Sequence, residues 1–183
     1  RRLAGQLAYD FSVYDQQGCL SPRAAFLQCS DMDRALPYAR MVCEAMAELA
    51  RRLPPPPLGL EEAAALRRTR DNAAVESALG GPQRLISAMS DPFVVTLSPA
   101  RGYAPGCLNR YADLRVSGSL EELIELLSPW RGRISTLGIA GLPEAGSLAR
   151  ALRVPRLCRV GQMQRPPLGW IHDGYLPLAS QVH

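Results

Sequence analysis

Strand-like and helix-like stretches alternate along residues 111–160, YADLRVSGSL EELIELLSPW RGRISTLGIA GLPEAGSLAR ALRVPRLCRV. Strands are predicted over 111–117, 133–139 and 156–160, and helices over 120–127 and 143–152. Ser119 is placed to cap the first helix, and Glu121 and Glu122 suit the positive end of its dipole. Short links between such elements favour right-handed crossovers and a mainly parallel sheet. We therefore expect an α/β fold, a three-layer αβα domain with helices on both faces of the sheet.

The sequence before this segment continues the α/β pattern. Apolar spacing predicts helices over 1–14, 32–52 and 60–79, and short apolar runs predict strands over 24–28, 84–88 and 93–97. Asp31 is a plausible N-cap for the second helix, and the prolines at 54–57 end it because proline lacks the backbone donor. No apolar run approaches the roughly 18 residues that a membrane span requires. We expect one domain over residues 1–183.

Composition excludes several classes of protein. All 21 basic residues are arginine, and the formal charge is +4. They are dispersed among acidic residues, whereas a nucleic-acid surface would cluster them with exposed aromatic side chains. The five cysteines contain no Cys-x-x-Cys pair, so we expect neither a disulfide framework nor a metal site. A reduced chain of this kind is expected in the cytoplasm.

One cysteine lies in an unusual context. Cys19 falls within the polar turn Tyr14-Asp-Gln-Gln-Gly-Cys-Leu-Ser-Pro22, whereas the other four lie in mostly apolar sequence. Glycine allows the chain to bend sharply before the thiol. Backbone N–H groups at such a turn can stabilise a thiolate or a developing oxyanion. The context indicates a nucleophilic cysteine, and the alternative is a loop thiol without a role.

Two motifs resemble those of one enzyme superfamily. Gln17-Gly18-Cys19, with Ser21 as a following small residue, is similar to the active-site turn of aldehyde dehydrogenases. The Cys-x-Ser-Pro form is closer to the luminescence-type (LuxC-like) fatty acyl-CoA reductases. Residues 159–174, RVGQMQRPPLGWIHDG, resemble the C-terminal signature of that branch, with Gly-x-Met, Pro-Pro and His-Asp-Gly in order.

The resemblance implies an aldehyde dehydrogenase-like catalytic domain that reduces acyl-CoA to a fatty aldehyde. Cys19 would form an acyl-thioester, and NADPH would supply the hydride. No dinucleotide fingerprint is present, so NADPH would be bound mainly by residues outside this chain. We accordingly expect the C-terminal part of a longer polypeptide that is inactive alone and that forms a homo-oligomer through the full-length protein.

The sequence around these motifs also suggests supporting residues. His172 and Asp173 are candidates for acid–base or pocket roles, since histidine transfers protons near neutral pH. Asp15 is a candidate for holding the turn. Further candidates for support or substrate binding are Gln17, Gly18, Ser21 and Trp170, with Pro166 and Pro167 beside Trp170 as lining for an acyl channel.

Three alternatives stay open at this point. The Glu-x-Phe-Gly-Pro motif of ordinary aldehyde dehydrogenases is missing, which favours the reductase branch over aldehyde oxidation. Another reductase of the superfamily would use the same cysteine on a semialdehyde or an acyl-phosphate. A non-catalytic interaction domain would retain the fold with an ordinary thiol. A cysteine acyltransferase would acylate Cys19 without a nicotinamide.

Overall fold

The computed structural model describes residues 1–167 and 170. It contains five α-helices and six β-strands within that part of the chain. In chain order they are α1 (Arg2–Ser12), β1 (Ala25–Gln28), α2 (Met32–Arg52), α3 (Leu60–Ala78), β2 (Arg84–Leu85), β3 (Val94–Pro99), β4 (Tyr111–Ser117), α4 (Leu120–Leu127), β5 (Thr136–Ile139), α5 (Ala145–Leu152) and β6 (Arg156–Arg159). None of the helices in this part is long and apolar enough to cross a bilayer.

Four strands form the main sheet in the order β1-β4-β3-β2. β4 pairs in parallel with β1 and with β3, and only the short β2 is antiparallel. Leu114 of β4 lies opposite Ala25 of β1 and Leu97 of β3, so the register brings apolar residues together across three strands. The prediction of an α/β fold with a mainly parallel sheet is confirmed.

Helices cover both faces of this sheet. Val95, Leu97 and Leu114 face α1 and α2 and are fully buried against Ala39, Val42 and Met46. Val94 and Tyr111 project to the other face, where Leu66 of α3 packs on them. The alternation follows from the two-residue period of a strand. Its consequence is the predicted three-layer αβα arrangement.

The last two strands depart from the prediction of one sheet. β5 and β6 pair with each other in parallel and form a second, two-stranded sheet. The reason is that β4 already has β1 on one side and β3 on the other, so β5 finds no free edge beside it. Leu127, Leu148 and Leu152 of α4 and α5 supply a separate apolar core over β5.

The helix boundaries follow local signals. Asp31 accepts a hydrogen bond from the Arg34 backbone at 2.8 Å, and Ser119 accepts one from Glu122 at 3.1 Å, so both predicted N-caps are present. α2 ends at Arg52, just before the proline run. The predicted helix 1–14 ends earlier, at Ser12, because the backbone is left-handed over the three residues Tyr14, Asp15 and Gln16.

Candidate active site

Cys19 occupies the outward corner of a tight turn. The Ser21 backbone N–H donates to the Gly18 carbonyl at 3.0 Å, which places Cys19 at the second position of a β-turn. Leu20 and Ser21 are buried, whereas Cys19 is exposed. The turn therefore packs Leu20 and Ser21 into the core and exposes the Cys19 thiol to solvent.

Two backbone donors accompany this thiol. Within the described part of the chain, the N–H groups of Cys19 and Leu20 donate to no backbone carbonyl. Unused N–H groups beside a nucleophile are the usual material of an oxyanion hole. The turn thus places an exposed thiol next to backbone N–H groups that donate to no carbonyl among the described residues.

The C-terminal segment reaches this turn directly. The Gln164 amide donates to the Ser21 hydroxyl at 2.6 Å. A Cβ atom at Gly18 would lie 3.2 Å from the Ser21 hydroxyl and 3.3 Å from the Gln164 amide oxygen. The first of the two sequence motifs is therefore in contact with the second, and Gly18 leaves room for that contact.

Asp10 anchors the C-terminal segment to α1. Its buried carboxylate accepts hydrogen bonds from the backbone of Gly161 at 2.5 Å and of Met163 at 3.2 Å. Burial raises the pKa of this carboxyl, while the two backbone donors and the nearby Arg156 and Arg165 act in the opposite direction. The contact joins residues 151 and 153 positions apart in the sequence.

Arg156 holds the same segment from the other side. The buried guanidinium donates to the Met163 carbonyl at 2.8 Å and to the Gln162 carbonyl at 2.9 Å. Its carbon also lies 5.4 Å from the centre of the Trp170 ring, a cation–π contact. Residues 161–163 are therefore clamped between Asp10 of α1 and Arg156 of β6.

The predicted site residues have separate positions. Cys19, Gly18 and Ser21 lie together in the turn. Gln17 is exposed and donates to the Asn109 side chain at 2.7 Å. The predicted role of Asp15 in holding the turn fits its ion pair with Arg110, at 2.6 Å. His172 and Asp173 lie outside the described residues.

An apolar groove of about 920 Å³ opens beside the nucleophile. Its lining includes Cys19, all of β1 and all of β5, with Leu123 and Trp130. Pro166, Pro167 and Trp170 do not line this groove. β1 is the edge of the main sheet in the described part of the chain, and an edge strand presents backbone donors and acceptors that an acyl chain cannot satisfy. The groove therefore fits an acyl chain poorly.

Burial disfavours ionisation of three of the other thiols. Burial raises the pKa of Cys43 to about 11, with Asp91 and Glu44 adding to the effect. Burial also raises the pKa values of Cys107 and Cys158. Among the described residues no three His, Cys, Asp or Glu side chains gather as a metal site requires.

Sequence reasoning missed three residues that support the turn. Gln16 is fully buried and bonds both Pro22 and Tyr111, the first residue of β4. Asn109 and Arg110, in the loop before β4, donate to Asp15. Asn109 carried a weak signal, since asparagine tolerates the left-handed conformation that it adopts here. Gln16 and Arg110 carried none, because a polar side chain in a loop is normally exposed.

Comparison with known proteins identifies the family of the chain. No curated protein matches the chain. The family model described as "Acyl-CoA reductase (LuxC)" matches residues 1–182 of the 183. The match includes the cysteine turn and the C-terminal segment that contacts it. The chain belongs to the LuxC acyl-CoA reductase family.

Proposed function

We propose that Cys19 is the nucleophile of an acyl-CoA reductase and carries the acyl group as a thioester. The observation that carries the proposal is the exposed thiol at a β-turn corner, in a chain of this family. The adjacent N–H groups of Cys19 and Leu20 donate to no carbonyl in the part of the chain that the structure describes. Covalent catalysis divides the reduction of a thioester into two easier steps.

The first step balances as a thioester exchange. The Cys19 thiol loses its proton to solvent, and the thiolate sulfur forms a bond to the carbonyl carbon of acyl-CoA. Negative charge on the carbonyl oxygen is received by the backbone N–H groups of Cys19 and Leu20. The bond from carbon to the CoA sulfur then breaks, and CoA leaves as a thiolate that takes up a proton. The step exchanges one thioester for another at little free-energy cost.

The second step requires a reductant bound elsewhere. Conversion of the acyl-thioester to an aldehyde consumes a hydride and a proton and regenerates the Cys19 thiol. We propose NADPH as the hydride source. Across the described residues no strand leads into a helix through the dinucleotide fingerprint Gly-x-Gly-x-x-Gly. NADPH is therefore proposed to bind mainly to residues outside this chain.

The proposal has a corresponding domain arrangement. We propose that residues 1–183 form a single catalytic domain, and that the protein is cytoplasmic and assembles as a homo-oligomer. His172 and Asp173 keep their proposed acid–base or pocket roles.

Acylation of the full-length protein that contains this chain tests the proposal. The protein is incubated with tetradecanoyl-CoA or with an acyl-phosphate of the same length, and intact mass is measured before and after hydroxylamine. We expect a hydroxylamine-labile acyl adduct from acyl-CoA in wild type and in Cys29→Ala, and none in Cys19→Ala. Addition of NADPH should release tetradecanal.

Each rival makes a different prediction in this assay. Preference for the acyl-phosphate would favour another reductase of the superfamily. An adduct that NADPH does not convert to aldehyde would favour an acyltransferase. Absence of an adduct in folded full-length protein would refute the proposed function and favour an interaction domain.

A further inference from the structure

The buried side-chain amide of Gln16 connects the two ends of the loop that carries Cys19, residues 16–22. Gln16 is 0% exposed, and its side-chain nitrogen donates to the carbonyls of Pro22 and Tyr111, each at 2.9 Å. Its side-chain oxygen accepts from the Tyr111 backbone N–H at 2.7 Å. One side chain therefore closes the loop 16–22 around Cys19 and attaches it to the first residue of β4.

The backbone that leads into the turn is strained. Tyr14, Asp15 and Gln16 have φ values of 55°, 50° and 63°. Residues other than glycine normally adopt this left-handed conformation singly, and each one raises the free energy of the folded chain by about 1–2 kcal/mol. Such strain persists only where surrounding contacts determine the conformation, and it concentrates at functional sites.

A second left-handed loop supplies those contacts. Asn109 and Arg110 have φ values of 66° and 65°. The Asn109 backbone donates to the Asp15 carbonyl at 3.1 Å, and the Arg110 guanidinium donates to the Asp15 carboxylate at 2.6 Å. Arg110 also donates to the Leu53 carbonyl at 2.8 Å and is only 2% exposed. The two strained loops thus hold each other in place.

Cys19 depends on this framework for its position. The thiol is exposed, and within the described residues its side chain has no hydrogen-bond partner that would orient it. Its location relative to the backbone N–H groups is therefore set by the turn, and the turn is fixed at both ends through Gln16. We propose that Gln16 is a positioning residue that aligns Cys19 with the oxyanion donors for acyl transfer. This inference rests on the proposed role of Cys19.

Two reactions of the Cys19 thiol distinguish its alignment with the oxyanion donors from its intrinsic reactivity. Alkylation by iodoacetamide requires an accessible thiolate but no oxyanion donors. Acyl transfer from a p-nitrophenyl ester requires the thiolate and the donors in register. Gln16→Met removes the three hydrogen bonds at similar volume. We expect the burst of p-nitrophenolate released by Cys19 to slow by about 10- to 100-fold, while the rate of Cys19 alkylation changes by less than about twofold.

Matched variants complete the test. Gln28→Met makes the same substitution at an exposed glutamine at the end of β1, outside the turn, and its burst should stay within about threefold of wild type. Gln16→Glu keeps an acceptor for the Tyr111 N–H but sets a carboxylate oxygen against the Pro22 and Tyr111 carbonyls, so its burst should slow at least as much as that of Gln16→Met. Circular dichroism establishes whether each variant is folded.

Several outcomes would overturn the inference. These are a wild-type burst rate in folded Gln16→Met or Gln16→Glu, a parallel fall in burst and alkylation, or the unfolding of both variants. The substrate proposal fails separately: a wild type that reacts with the ester and not with acyl-CoA would refute acyl-CoA as substrate and leave the positioning inference intact.

Discussion

Replacement of Asp10 by alanine tests how the C-terminal segment is attached. The Asp10 carboxylate is fully buried and accepts from the Gly161 and Met163 backbone N–H groups. Asp10→Ala leaves both donors without this acceptor. A buried donor that loses its partner costs about 1–3 kcal/mol, so two donors cost about 2–6 kcal/mol.

The buried charge offsets part of this loss. Burial raises the pKa of Asp10, which means that holding the ionised carboxylate in the core is itself unfavourable. Alanine removes that cost together with the hydrogen bonds. We therefore expect a net loss of about 2–4 kcal/mol in the free energy of unfolding at neutral pH.

Urea unfolding followed by circular dichroism measures this loss. Asp71→Ala is the matched control, because it makes the same charge change in an exposed ion pair with Arg67 and should cost under about 1 kcal/mol. The burst rate of Cys19 should also fall in Asp10→Ala, since Gln164 belongs to the segment that Asp10 anchors. A loss no larger than that of Asp71→Ala would refute the anchoring role.

Three further predictions follow from particular contacts. Gly161→Ala should lower the free energy of unfolding by about 2–4 kcal/mol in the same urea assay, because φ is +88° and the new Cβ would lie 2.8 Å from that of Gln6; a neutral result would contradict the close approach. Arg110→Met should cost about 3 kcal/mol, since it leaves the Asp15 carboxylate without its buried partner, and a cost within about 0.5 kcal/mol of zero would contradict this. At pH 8 a Cys43 thiol of pKa about 11 is ionised to about one part in a thousand, whereas an ordinary thiol is ionised to about one quarter. Mass mapping of the alkylated protein should therefore find that Cys43 reacts far more slowly than Cys19, and that its rate increases as the pH rises toward 11. Equal alkylation rates of the two thiols at pH 8 would refute the burial of Cys43.

Much of the fold could be predicted because its signals are local. The caps Asp31 and Ser119 and the proline run at 54–57 act within a few residues of the boundaries they set. Strand pairing is not local. The insertion of β4 between β1 and β3, which leaves β5 to pair with β6, depends on contacts between distant parts of the chain, so alternation in sequence did not reveal the second sheet.

The candidate site divides in the same way. Cys19 was recognisable because a thiol in a polar glycine turn is unusual, and the resemblance supplied Gly18 and Ser21. Gln16 could not be identified from the sequence, because its side chain forms hydrogen bonds with the backbone of Tyr111, 95 residues away. Asp10 was overlooked because a carboxylate near the end of a short amphipathic helix predicts an exposed face, and its partners lie at the far end of the chain.

The location of the acyl group is the most direct measurement of the central claim. Full-length protein is incubated with tetradecanoyl-CoA without NADPH, digested, and mapped by mass spectrometry with and without hydroxylamine. The account predicts one acylated cysteine, in the peptide that contains Cys19, with the label removed by hydroxylamine. An acyl group on Cys29, Cys43, Cys107 or Cys158 instead, or no acylated peptide from folded protein, would contradict it.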